Sequence, residues 1–105
     1  MDQIPVRIRK IIDQYIKELD KNKIHIQRAI IFGSYSKGLS HAWSDIDIAL
    51  VSDAFDGLRM HDRSKIRRIT LSVSSDLAPI PFRTKDFTKR DPLVREILET
   101  GVRVV

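Results

Sequence analysis

A chain of 105 residues with 42% hydrophobic side chains has the size of one domain with a modest core, which leaves no room for a second, substrate-binding domain. It has no cysteine, which excludes disulfides, thiolate zinc sites and cysteine nucleophiles, and no apolar run approaches the roughly 18 residues of a membrane span. The formal net charge of +5 and the pI of about 9.8 suit a polyanion such as a nucleotide or RNA, but acidic residues are mixed among the basic ones and solvated faces account for most of the charge. The dense basic cluster is Arg59, Arg63, Lys65, Arg67 and Arg68.

The first twenty residues are interrupted by charge throughout, unlike a secretory signal, so a cytoplasmic location without a membrane partner is expected. Ile4, Ile8, Ile11, Ile12, Tyr15, Ile16 and Leu19 recur at spacings of three and four, which predicts an amphipathic helix with Pro5 in its first turn and "DKNK" at its end. "IHIQRAIIF", Ile24 to Phe32, alternates and then becomes continuously apolar, as a strand entering a buried sheet does. "GSYSKG" breaks it. A second strand is expected over Asp45 to Val51, and a basic helix from Leu58 to about Leu71.

"VSSDLAPIPF" reads as a third strand that Pro79 and Pro81 place near an edge. The last helix starts at Asp91, a cap, with Pro92 in its first turn and Leu93, Val94, Ile97 and Leu98 on one face; Gly101 stops it, and "VRVV" can add a short final strand. The expectation is one α/β domain over residues 1–105, with a mixed sheet of three to four strands flanked by helices. The three histidines are too scattered in sequence to suggest a metal cluster.

The chemistry concentrates in "GSYSKGLSHAWSDID", Gly33 to Asp47. In a strand, residues i and i+2 share a face, so Asp45 and Asp47 project together while Ile46, Ile48 and Leu50 project into the core. Two like charges held together call for a cation, and Mg²⁺ prefers carboxylate and phosphate oxygens. Gly33 can take backbone angles closed to other residues and lets a phosphate approach, and Ser34 offers a hydroxyl and an N–H to it. Taken singly, Gly-Ser is also an ordinary turn and Asp-x-Asp an ordinary solvated strand margin. Trp43 reads either as a base-stacking residue or as an aromatic packed over the loop.

Ser34, a gap of ten residues, and then Asp45-Ile46-Asp47 resembles the signature of the nucleotidyltransferase superfamily that includes DNA polymerase beta. "FGSYSKG…SDIDIALV" is especially similar to the minimal nucleotidyltransferases, and the likeness is strongest over Ile30 to Val51. Lys37 stands where many relatives carry arginine, which keeps the charge and gives up a bidentate phosphate contact. The resemblance implies a small nucleotidyltransferase fold, ATP as substrate, two Mg²⁺ ions, and a third carboxylate from the strand beside Asp45 and Asp47. Asp76 is the matching position, with Asp86 as the fallback; Asp53, Asp56 and Asp86 otherwise read as turn or solvated carboxylates. In this scheme Asp45, Asp47 and Asp76 hold the metals and carry catalysis, Gly33 and Ser34 hold the phosphates, Lys37 neutralises them and Ser44 braces the loop.

The resemblance further implies a HEPN-family toxin as partner in a hetero-oligomer, with the chain acting as antitoxin by transferring AMP to a hydroxyl, a tyrosine, of that toxin. Two alternatives stand beside it: neutralisation by binding alone, and nucleotidyl transfer to RNA or a small hydroxylated molecule. Three carboxylates are more than a binding role requires. The basic cluster around Arg59 to Arg68 favours RNA, and it fits an acidic partner or ATP phosphates equally well.

Overall fold

The structure, a computed structural model, describes residues 4–33 and 45–105. Helix α1 spans Val6–Lys21 and buries Ile8, Ile12, Tyr15 and Leu19, the four-three-four spacing of a stripe facing a core. It closes without a glycine. Lys23 takes the left-handed conformation at φ 66°, its N–H bonding Asp20 O, while the Ile24 N–H returns to Leu19 O.

Strand β1 spans Arg28–Phe32, shorter than the apolar run suggested, because Ile24 and Ile26 are buried under α1 before the chain enters the sheet. Strand β2, Ile46–Ser52, is followed by α2, Arg59–Val73, and by β3, Leu77–Arg83. The third strand therefore starts four residues later than the Val73 predicted, since Val73 is the last residue of α2. A single 3-10 turn at Thr84–Asp86 leads to α3, Pro92–Thr100, where the Asp91 carboxylate accepts from the Leu93 N–H as predicted. Strand β4, Val102–Arg103, ends the sheet.

The sheet order is β3-β2-β1-β4, with β1 antiparallel to β2 and β4, and β2 parallel to β3. The expected mixed sheet of three to four strands is thus present, flanked by three helices. Its two faces make two cores. Ala29, Ile31, Ile46, Ile48, Leu50 and Leu77 pack with α1 and α2, while Ile30, Ala49, Val51 and Phe82 pack with Phe87 and the Val94 and Ile97 of α3. The first is tied by a polar relay: the Thr70 hydroxyl donates to Ile66 O at 2.9 Å, which leaves the Tyr15 hydroxyl to donate to Thr70 Oγ1 at 2.6 Å.

β3 is an edge strand, as its prolines predicted. The Ile46 N–H bonds Asp76 O, so the even-numbered residues of β3 turn their backbone groups toward β2 and Pro79 and Pro81 turn outward. Residues with no N–H there present no donors to a second sheet. No helix of the described residues is long and apolar enough to cross a membrane.

Candidate active site

Because β1 runs against β2 and β2 runs with β3, the end of β1 and the starts of β2 and β3 lie at the same end of the sheet. The sequence places chemistry at all three: Gly33 after β1, Asp45 and Asp47 at the start of β2, and Asp76 just before β3. Asp47 pairs across to Phe32, the residue before Gly33. Gly33 has φ 74°, a conformation that L side chains rarely adopt, and a Cβ built on it would collide with Asp47 Oδ2 and stand 3.2 Å from Asp47 Cγ. The glycine therefore makes the space in which the Asp47 carboxylate sits.

Asp47 shares its face with Ala49 and Val51, on the α3 side, and Asp45 by alternation points the same way while Ile46, Ile48 and Leu50 enter the other core. Asp45 is exposed and Asp47 half-buried. Burial first, and the nearby Asp45 charge second, push the Asp47 carboxyl above its ordinary 3.8. A carboxylate pair that resists its second charge, with hard oxygen donors beside a space with no side chain, fits a divalent cation and the phosphates it would carry.

Asp76 is exposed, its N–H bonding Ser74 Oγ at 3.1 Å and its carbonyl engaged by Ile46. Extending the register one step places it beside Asp45; the residue beside Asp47 is Ala78, which has no donor. Asp45, Asp47 and Asp76 do not gather as a three-ligand cluster. Among the described residues the triplet whose ligand atoms lie within 4.8 Å of one another is Asp56, His61 and Asp62, past the other end of β2. His61 thus joins a potential metal-ligand group with two nearby aspartates, which the spacing of the histidines alone does not reveal. Its chemistry is already committed, since the buried Asp62 accepts the Asp56 and Gly57 N–H groups at 2.9 Å each and His61 Nδ1 meets Asp56 Oδ2 at 2.6 Å. These bonds fasten the turn after β2 onto the start of α2.

Asp86 follows the far end of β3 and is held by Arg83 at 2.8 and 3.0 Å, which draws its carboxyl below the usual range. It cannot replace Asp76 at the other end of the sheet. Asp53 accepts from Gln27 Nε2 at 2.9 Å, in keeping with a structural turn carboxylate. Ser34, Lys37, Trp43 and Ser44 lie outside the described residues.

Comparison with known proteins bears on the family and the fold. The family described as "Polymerase beta, Nucleotidyltransferase" matches residues 14–105. No curated protein matches. Among solved structures, a candidate nucleotidyltransferase from Sulfolobus solfataricus is 19% identical, with a TM-score of 0.64 over 93% of this chain and 79% of that one, a likeness of fold. A toxin–antitoxin structure with AMP-PNP is 26% identical, with a TM-score of 0.60 over 90% of this chain and 70% of that one. A mutant form of the toxin–antitoxin pair MntA-HpeT is 27% identical, with a TM-score of 0.59 over 89% of this chain and 70% of that one. With the family match covering most of its length and the glycine and paired carboxylates meeting at one end of the sheet, the chain belongs to the polymerase beta nucleotidyltransferase family.

Proposed function

We propose that the chain is an antitoxin of a toxin–antitoxin pair and acts by transferring AMP from ATP to a hydroxyl, a tyrosine, of a HEPN-family toxin. The observation that carries the transfer chemistry is the contact of Gly33 with Asp47 beside Asp45. The antitoxin role is supported by the likeness to toxin–antitoxin structures, one of them with AMP-PNP.

In this reading the acceptor oxygen forms a bond to the α-phosphorus, the bond from that phosphorus to the bridging oxygen breaks, and pyrophosphate leaves. The acceptor proton passes to a site carboxylate or to water. Asp45 and Asp47 would hold two Mg²⁺ ions, which when bound offset the triphosphate charge and lower the pKa of the acceptor hydroxyl. Asp76 is assigned the acceptor side, as the carboxylate whose register lies beside Asp45 rather than Asp47. Gly33 admits the phosphates by lacking a side chain, and Ser34, Lys37 and Ser44 are assigned to the nucleotide by the spacing of the motif. The test is incubation with α-labelled nucleoside triphosphates, Mg²⁺ and the product of the adjacent gene as candidate toxin, followed by mass spectrometry of that protein. A nucleoside monophosphate on a toxin tyrosine supports the proposal; an unmodified toxin that is nonetheless neutralised replaces it with inhibition by binding.

A further inference from the structure

Helix α2 exposes much more of itself than it buries. Its buried residues are Asp62, Ile66 and Thr70, a single stripe with a carboxylate in it. On the outward face Met60, Arg63, Ser64, Arg67 and Leu71 recur at the three-and-four spacing that aligns side chains in one row. Met60 is 86% exposed and Leu71 56%, although both are large and apolar. Arg63, Ser64, Arg67 and Leu71 of this row form one wall of a groove of about 280 Å³, with Leu77 and Pro79 of the edge strand on its other side.

We propose that this groove is a docking surface for an acidic amphipathic helix of a partner protein. Charge selects the sign of the occupant. Arg63 and Arg67 stand one turn apart on the groove wall, and neither guanidinium has a hydrogen bond or ion pair among the described residues. Asp62, the helix's own acid, is buried with both oxygens committed to backbone N–H groups, so it does not compensate them. Shape selects a helix over an extended segment. Pro79 and Pro81 leave the outer edge of β3 without donors at alternate positions, which opposes addition of a strand. Met60, about one turn before the groove's lining, and Leu71 within it are eleven residues apart, about 16 Å along the axis, which matches three turns of a partner helix carrying apolar residues on one face. These exposed apolar ends also distinguish the surface from a nucleic-acid groove, which draws on basic and stacking side chains. The groove lies on the α2 face of the sheet and the Asp45–Asp47 face is the α3 side, so docking is measurable without nucleotidyl transfer.

The probe is a synthetic amphipathic helical peptide with leucines on one face and glutamates on the other, titrated into the full chain by amide NMR. Saturable binding, with shifts centred on Arg63, Ser64, Arg67, Leu71 and Leu77, is the expected result. Affinity should fall at least tenfold in Arg63→Glu and in Arg67→Glu, both exposed positions whose thermal midpoints should stay near wild type. The same peptide with lysines in place of the glutamates should not bind. Shifts centred elsewhere, equal affinity for the lysine peptide, or tighter binding of a single-stranded RNA of equal charge to the same residues would each overturn the proposal.

Discussion

Gly33 and Asp47 occupy neighbouring space that one added methyl group would overfill: a Cβ on Gly33 would overlap Asp47 Oδ2, and its φ of 74° is one that an L side chain resists. Gly33→Ala should therefore cost about 1–2 kcal/mol in backbone strain and also displace the carboxylate. Gly57, at φ 91° past the far end of β2, supplies the control. Gly57→Ala should lose comparable stability and retain ATP binding, whereas Gly33→Ala should lose both; thermal melts beside calorimetric ATP titrations separate the two.

The raised pKa of Asp47 fixes a sign. A folded-state pKa above the unfolded one favours the protonated native state, so the contribution is present below the ordinary 3.8 and is lost as pH rises through the elevated folded value. At neutral pH without metal, Asp47→Asn should match or exceed wild type in thermal midpoint. Adding Mg²⁺ should raise the wild-type midpoint and leave that of Asp47→Asn unchanged. A metal-free variant that melts well below wild type would show that Asp47 is a structural group.

Tyr15 joins α1 to α2 through Thr70, and burial pushes its phenol up to about 12. Here too the acid form is favoured in the native state, so the contribution is complete below pH 10 and is lost as pH rises to about 12. Tyr15→Phe should cost about 1 kcal/mol at neutral pH, the worth of one hydrogen bond. It should also flatten the fall in stability between pH 10 and pH 12, as denaturant titrations at several pH values would show.

Asp76 tests the third carboxylate. If it acts on the acceptor side, Asp76→Asn should bind ATP and Mg²⁺ as wild type does and lose transfer, because Asp45 and Asp47 remain. Asparagine is a good turn residue, so a merely structural Asp76 would leave transfer near normal. Calorimetry beside a transfer assay decides between them.

What could be read from the sequence was local or periodic. Asp91, Pro92 and Leu93 announce the start of α3 because a cap is built within three residues, and the shared face of Asp45 and Asp47 follows from the two-residue period of a strand. Register between strands has no such signal. That Ala78, rather than Asp76, lies beside Asp47 depends on where α2 stops and β3 begins, and β3 begins later than its apolar run suggested. The Asp56–His61–Asp62 triplet was hidden for a similar reason, since only the turn at Gly57 and the start of α2 bring its members together. The basic cluster was visible as charge, but the alignment of Arg63, Arg67 and Leu71 along a groove required the packing of α2 against β3.

The most direct test of the central claim compares wild type with Asp45→Asn and Asp47→Asn, each supplied with ATP, Mg²⁺ and the proposed toxin partner, and measures AMP on the toxin by mass spectrometry. The account predicts modification by wild type that chelation of Mg²⁺ abolishes, and none by either variant, with all three chains equally folded by circular dichroism. Undiminished transfer by the folded variants would contradict the assignment of the chemistry to Asp45 and Asp47.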